Sequence, residues 1–273
     1  MTLTAEMLDE VRETFLTQGY AVARNVIPME VVEDIQEFLL SQKDAAVEAA
    51  QHELGCSSPE ALVELAGEIA AGRHVGMETL TKASRDTLTG HYPLAVRLSE
   101  RLWQIPRTPA VRALLSECLN SDALFMHMPP TARFVLAKNS HAGVPPHQDA
   151  SYNGHMNRFL TMWTPFVDIT DECGGVIVYE GTGQAELQEA PSSPTEYWRK
   201  AIETQGATPV HMKIKMGDVL LLNPFIIHGS AANRSDRTRV SIDFRFFGGD
   251  GASAKHHLDM QTWRVVEPSP VSH

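Results

Sequence analysis

The sequence predicts a mainly β protein with outer helices, a sandwich or double-sheet jelly roll preceded by a helical N-terminal region. Two observations carry this. Up to about residue 120 the chain repeats helix signals, apolar positions at helical spacing with caps and breakers between them. From about residue 123 its character changes, and short apolar runs alternate with turn signals. A length of 273 residues with 43% hydrophobic content suits one sizeable core rather than two full domains. The expected division is a single domain over 1–273, with a helical part at 1–120, a jelly-roll core at 121–250 and a tail at 251–273 that is polar and irregular.

Taken in order, residues 4 to 18 read as a helix, with Thr4 as N-cap, apolar positions at Met7, Val11 and Phe15, and Gly19 just past the end. GYAVARNVI (19 to 27) alternates like a short strand, and Pro28 opens a helix reaching the early fifties. Ser57-Ser58-Pro59-Glu60 starts a third helix ending near Ala71, and Thr108-Pro109 starts another ending near Leu119. The seven β-like runs are 123–128, 132–138, 158–169, 174–181, 210–215, 218–228 and 239–247. Residues 191 to 206 read as an insertion with a short helix, and Gly174, Gly175, Gly181 and Gly183 as turns, because no helix follows them as a phosphate loop would need.

Composition excludes several classes. Cys56, Cys118 and Cys173 are too few and too far apart for a disulfide framework or a zinc knuckle, so a reducing compartment is expected. The first ten residues carry acids where a signal peptide needs basic residues, and no apolar stretch is long enough for a membrane helix. These features predict a cytoplasmic protein with no membrane partner. A net charge of -11 without a Lys/Arg stripe argues against nucleic acid. It also provides no obvious basic pocket for a strongly anionic substrate. Oligomeric state is left open.

The chemistry concentrates in VPPHQDASYN. In an extended segment residues i and i+2 face the same side, so His147 and Asp149 can offer one imidazole and one carboxylate to a single ion. An isolated H-x-D is weak, and its bland reading is a loop histidine. His228 lies 81 residues on, ending the run DVLLLNPFIIH, and two histidines with one carboxylate make the facial triad of non-haem iron(II) oxygenases. Eleven residues past His228, Arg239 opens a strand-like segment where it can pair with a carboxylate of a co-substrate, and Ser230 can add a hydroxyl. Arg237 competes, but it shares a polar stretch with Asn233, Arg234 and Asp236 and reads as solvated. Arg239, Ser241, Asp243 and Arg245 should look into the mouth of the barrel. Met126, Met128, Met156 and Met162 read as core or pocket lining. His141 and His155 read as surface histidines.

VPPHQDASY, MWTPFVDI, CGGVIVYEGTG and GDVLLLNPFIIHGSAANRSDRTRVSIDFRF, spanning about 132 to 247, together resemble the phytanoyl-CoA dioxygenase family of iron/2-oxoglutarate oxygenases. FLTQGYAVARNVIPMEVVEDI resembles that family's opening; 45 to 120 and the tail match nothing nameable. The resemblance implies a double-stranded β-helix, or cupin-like jelly roll. It implies His147, Asp149 and His228 as iron ligands and catalytic residues. Arg239 and Ser230 would contact 2-oxoglutarate, and Trp163 would lie beside it, although a core aromatic is an equal reading of that tryptophan. Tyr152 matches a tyrosine near the site in relatives, or is a strand-end aromatic. Halogenating relatives lack the carboxylate ligand, and Asp149 is present here.

The implied reaction uses Fe(II), 2-oxoglutarate and O2, releases succinate and CO2, and hydroxylates an unactivated C–H bond of a small metabolite or biosynthetic intermediate. Two alternatives stand beside it: a keto-acid-independent metal enzyme on the same barrel, and a non-catalytic small-molecule-binding protein.

Overall fold

The computed structural model describes residues 3–71, 77–188 and 201–268. The helical part begins with α1 (Ala5–Gln18), whose N-cap Thr4 accepts a bond from the Met7 amide and which ends at left-handed Gly19. Strand β1 (Tyr20–Ala23) is shorter than the alternation suggested, because Asn25 turns to positive φ and the Val26 and Ile27 amides bond the Gly217 carbonyl instead of a ladder. Helix α2 (Met29–Leu54) and α3 (Pro59–Ala70) follow, the latter capped by Ser58. Short helices α4 (Lys82–Leu88), α5 (Leu94–Arg97) and α6 (Gln104–Arg107) lead to α7 (Pro109–Leu119). Thr108 precedes α7 without capping it; its hydroxyl donates to the Gln104 carbonyl instead.

Then come strands β2 (Leu124–His127), β3 (Thr131–Val135) and β4 (Val144–His147), the one-turn helix α8 (Asp149–Tyr152), and strands β5 (Met156–Pro165), β6 (Gly175–Tyr179), β7 (Pro209–His211), β8 (Val219–Leu222), β9 (His228–Ala231), β10 (Arg239–Ser253), β11 (His257–Asp259) and β12 (Arg264–Val266). The larger sheet runs β1-β8-β5-β10-β2-β11-β12, with β3 also on β10; the smaller runs β4-β9-β6-β7. Two antiparallel sheets face each other with helices outside, the expected jelly-roll architecture, although the sheets do not join into one closed barrel.

Three expectations need correction. The run 218–228 is two strands: Pro224 cannot extend the ladder, and Asn223 closes a turn by accepting the Phe225 amide on Oδ1 and the Ile226 amide on its carbonyl. That turn carries the chain from the larger sheet into the smaller one. Strand β4 gave no sequence signal because Pro145 and Pro146 lack N–H donors, and its pairing with β9 shifts register between Val144 and His147. The tail carries strands the sequence did not signal: β10 runs to Ser253, and β11 and β12 extend the sheet edge on β2, while the end of the tail after 268 lies outside the described residues. The helix expected within 191–206 falls mostly outside the described residues, and 201–206 are not helical.

The strands sort their side chains with period two. On β10, Val240, Ile242, Phe244 and Phe246 enter the core shared with the helices, alongside Leu160 and Met162 of β5 and Val219 and Leu221 of β8. The opposite faces put Trp163, Leu220 and Leu222 into a second core against Val176, Val178 and Ile214 of the smaller sheet's side. The four methionines near the motif are buried core, and none lines the cleft described below. Tyr92 ties the layers together, donating to the Leu39 carbonyl of α2 at 2.8 Å while its ring meets Phe134 edge-on at 4.8 Å.

We propose that residues 1–273 fold as one unit, since helices and the larger sheet share a single core. Ile35 on α2 is 0% exposed. Ile35→Ala should therefore cost about 3 kcal/mol and shift one cooperative denaturant transition; two separate transitions would refute the single unit.

Candidate metal centre

His147 ends β4, His228 begins β9, and the two are directly cross-strand partners. Their rings lie 4.3 Å apart, both nearly buried. Each Nδ1 faces the carbonyl of the residue two before it: Pro145 at 2.9 Å for His147 and Ile226 at 3.1 Å for His228. A carbonyl only accepts, so each Nδ1 carries the proton and the lone pair sits on Nε2. This tautomer and ring anchoring are what metal-ligating histidines show.

Gln148 is extended, so the i to i+2 geometry holds and Asp149, the first residue of α8, turns its carboxylate to the same side. Asp149 Oδ1 is 4.0 Å from His147 Nε2, and one ligand atom from each of His147, Asp149 and His228 lies within 4.8 Å of the others. These donors suit a divalent transition metal.

Asp149 is 2% exposed. Burial alone would raise its pKa. The Arg245 guanidinium above all, then His228, His147 and the Thr161 hydroxyl, reverse that and hold the carboxyl well below the usual range. Arg245 Nη2 donates to Oδ1 at 3.0 Å and Thr161 Oγ1 donates to Oδ2.

Arg239 starts β10 and is 2% exposed. Its Nη1 donates to the Ala231 carbonyl at 3.2 Å, and its Nε is buried without a partner. Burial pushes it down to about 10, leaving it charged at neutral pH. Among the described residues it has no carboxylate at ion-pair distance, so the site itself leaves its charge unmatched. Asn233, which the sequence grouped with solvated neighbours, is fully buried and bonds the Val135, Leu136 and Arg237 carbonyls, fixing the turn before Arg239. Arg237 is exposed on that turn and lines no part of the cleft.

His147, Asp149, His228, Arg239 and Arg245 meet in one cleft. Arg239, Ser241, Asp243 and Arg245 line it together, as the alternation required. Ser230 lines it from β9; its hydroxyl oxygen accepts the Val144 amide at 2.8 Å, and its own proton remains to donate. Trp163, the cross-strand partner of Asp243 on β5, lines the cleft while packing in the inner core. The Tyr152 ring meets the His147 ring edge-on at 5.7 Å. The cleft, its open mouth included, spans about 880 Å³.

The sequence set Arg245 and Asp243 on the inward face but missed two contributors, Thr161 and Arg133. Arg245 was placed on the right face, but its bond to Asp149 depends on folding. Thr161, in an apolar run, gave no signal. Arg133, whose Nη2 donates to the Thr89 and Ala142 carbonyls, and half-buried Asp243 also line the cleft. Burial raises the Asp243 carboxyl, an effect Arg245 partly offsets. Three arginines against Asp149 and Asp243 make the cleft locally basic although the whole chain is acidic. His141 is exposed at the cleft rim, as expected of a surface histidine. His155 is not: it is half-buried against His127, and burial drives the pair down to about 4 and about 3.

Fold and site together define a jelly-roll protein with a His-Asp-His cluster that could hold a metal ion. The chain belongs to the phytanoyl-CoA dioxygenase (PhyH) family, whose profile it matches over residues 15–241. Among curated proteins it is similar to a probable phytanoyl-CoA dioxygenase of Caenorhabditis elegans, 29% identical over 119 residues, covering 39% of this chain and 36% of that protein. It is also similar to the peroxisomal phytanoyl-CoA dioxygenase of Bos taurus, 26% identical over 130 residues, 43% of this chain and 36% of that one. These matches thus span little more than a third of the relatives' length.

Among solved structures, the epimerase SnoN in complex with Fe3+, alpha ketoglutarate and nogalamycin RO aligns with a TM-score of 0.61 at 16% identity, covering 92% of this chain and 87% of that one. The carbocyclase SnoK from nogalamycin biosynthesis aligns at 0.60 and 17%, covering 93% and 89%. The non-heme monooxygenase ThoJ aligns at 0.60 and 14%, covering 89% and 79%. At these identities the likeness shows the fold. Among the described residues no helix is long and apolar enough to cross a membrane.

Gly174 packs against this site with φ +81°, where an added Cβ would meet the Ala231 carbonyl oxygen at 2.6 Å and Arg239 Nη1 at 2.8 Å. Gly174→Ala should destabilise the protein by roughly 2 kcal/mol in denaturant unfolding. A neutral result would mean that the backbone there relaxes freely.

Proposed function

We propose that this protein is an Fe(II)- and 2-oxoglutarate-dependent oxygenase acting on a small organic molecule. The observation that carries the reading is the pairing of a tautomer-set His147, Asp149 and His228 cluster with the buried, unmatched charge of Arg239 in the same cleft. Three ligands on one side of an octahedral ion leave positions for a chelating keto acid and dioxygen. When bound, iron and 2-oxoglutarate with O2 supply an oxidant strong enough to attack an unactivated C–H bond, with succinate and CO2 released.

The chain's own groups do the rest. His147 and His228 present Nε2 because their Nδ1 protons are held by backbone carbonyls. Asp149 stays ionised because Arg245 and Thr161 bond its two oxygens. Arg239 receives the distal carboxylate of 2-oxoglutarate, where a charge-assisted pair gains strength from the buried setting, and Ser230 adds its hydroxyl. Trp163 walls the co-substrate's flank. Asp149 fills the position that a halogenating relative leaves to chloride, which supports hydroxylation of a small metabolite over halogenation. The epimerase, carbocyclase and monooxygenase on this fold carry out different reactions, so the fold by itself does not set the outcome of the oxidation.

Anaerobic titration of the apoprotein with Fe(II) and 2-oxoglutarate is the direct test. A weak visible charge-transfer band should appear with both present and vanish in His228→Ala. Iron bound without a band would favour a keto-acid-independent metal enzyme, and no iron binding a non-catalytic binding protein. Arg239→Ala should raise the 2-oxoglutarate concentration needed by at least tenfold, on the order of the loss of one charge-assisted bond. Unchanged co-substrate affinity would remove Arg239 from this role.

A further inference from the structure

The Arg245–Asp149 pair is not needed to explain the fold. A buried ion pair contributes little net stability, and an apolar pair of similar volume would serve the core as well. The Arg245 side chain is 14% exposed and that of Asp149 is 3% exposed. Among the described residues, Arg245 Nε is buried with no partner, and Nη1 reaches only the Thr131 hydroxyl at 3.2 Å. This arrangement costs desolvation, and what it achieves is a fixed direction for one carboxylate.

The geometry points to a clamp: we propose that Arg245 and Thr161 are positioning residues that lock the Asp149 carboxylate in the orientation that ligates the metal. The proposal rests on the metal-site reading above.

Arg245 and Thr161 are cross-strand partners on β10 and β5, so they stand side by side on the inner face of the larger sheet. Both reach up to Asp149, one to each oxygen. A carboxylate with only one oxygen bonded can swing about its Cβ–Cγ bond. With a cation on Oδ1 and a hydroxyl on Oδ2, its plane is set. Oδ1, 4.0 Å from His147 Nε2, is then turned toward the two histidines. The third anchor comes from the backbone, where the Asn153 side chain and amide both bond the Asp149 carbonyl at the start of α8. Two strands of the larger sheet therefore aim a ligand that the smaller sheet's β4 delivers.

Arg239 and Arg245 stand on the same face of β10, six residues apart. One strand thus carries both the co-substrate arginine and the clamp, so the keto-acid site and the ligand carboxylate share a rigid reference.

Charge and positioning predict opposite signs. A guanidinium acting only through its charge repels a metal cation, so its removal tightens binding. A guanidinium that aims the ligand strengthens binding, so its removal weakens it. Partners that orient metal ligands are typically worth about 10–100-fold in affinity.

The experiment is anaerobic Co(II) titration of the full chain, read by the dissociation constant and by the visible d–d spectrum, which reports ligand geometry without turnover. Thr161→Val, isosteric and lacking only the hydroxyl donor, should weaken Co(II) by about tenfold and alter the spectrum, and Thr161→Ser should restore both. Arg245→Gln should weaken Co(II) further. Tighter binding in Arg245→Gln, or affinity and spectrum unchanged in folded Thr161→Val, overturns the clamp; the latter result with a lowered metal-free thermal midpoint assigns the pair to folding alone. Should Arg245→Gln fail to fold, the two Thr161 variants decide the question. If wild-type protein fails to bind Co(II), or His228→Ala binds it equally well, the metal-site reading itself falls and the clamp with it.

Discussion

A strand buried on both faces must divide its side chains between two environments, and the division can only follow its period of two. Strand β10 is where this constraint acts hardest. Val240, Ile242, Phe244 and Phe246 are buried against the helices, and that hydrophobic contact holds the strand in register. Arg239, Ser241, Asp243 and Arg245 are thereby compelled to face the other sheet. A slip of one residue would bury four polar groups among the helices and expose four apolar ones. The helical layer therefore does more than cover the sheet. By rewarding one phase of the alternation, it places two arginines in the cleft.

The cleft keeps charge where a stable core would not. Arg239 is buried with no carboxylate beside it among the described residues, and Asp149 is ionised under neighbouring cations. Such groups cost stability unless something completes them. A dianionic co-substrate at Arg239 and a divalent metal at Asp149, His147 and His228 would complete both. Membership of the phytanoyl-CoA dioxygenase family agrees with this, although the agreement is drawn from residues and geometry that stand without it. The local basicity also shows how little net charge says about a site, since the acids that make the chain -11 overall are mostly elsewhere.

Much of this was legible in the residues. His147 and Asp149 stand at a spacing that local geometry turns to one side, and the structure brings them to one cleft with His228, Arg239 and Ser230. Helix limits were readable wherever a cap or a glycine marked them, as at Thr4, Ser58 and Gly19. What was hidden depended on partners. Strand β4 carries two prolines and looks like a loop, and it is a strand only because β9 lies beside it. Asn233 looks solvated beside Arg234 and Asp236, yet it is buried because three backbone carbonyls need its amide. The last strands, β11 and β12, are three residues each and exist because β2 offers an edge.

The sequence by itself determined the fold class, the main helices, the residue types of the candidate metal site and the face of β10 that turns inward, because alternation, caps and short spacings are local properties of the chain. Only the tertiary structure decided that His147 and His228 are cross-strand partners, that Arg245 and Thr161 grip the two oxygens of Asp149, and that Arg239 stays without a carboxylate. Those facts join residues 12 to 96 positions apart along the chain. They are set by sheet register and by the sheet the chain joins after the turn at Asn223-Pro224; the local residues mark that turn but not its destination.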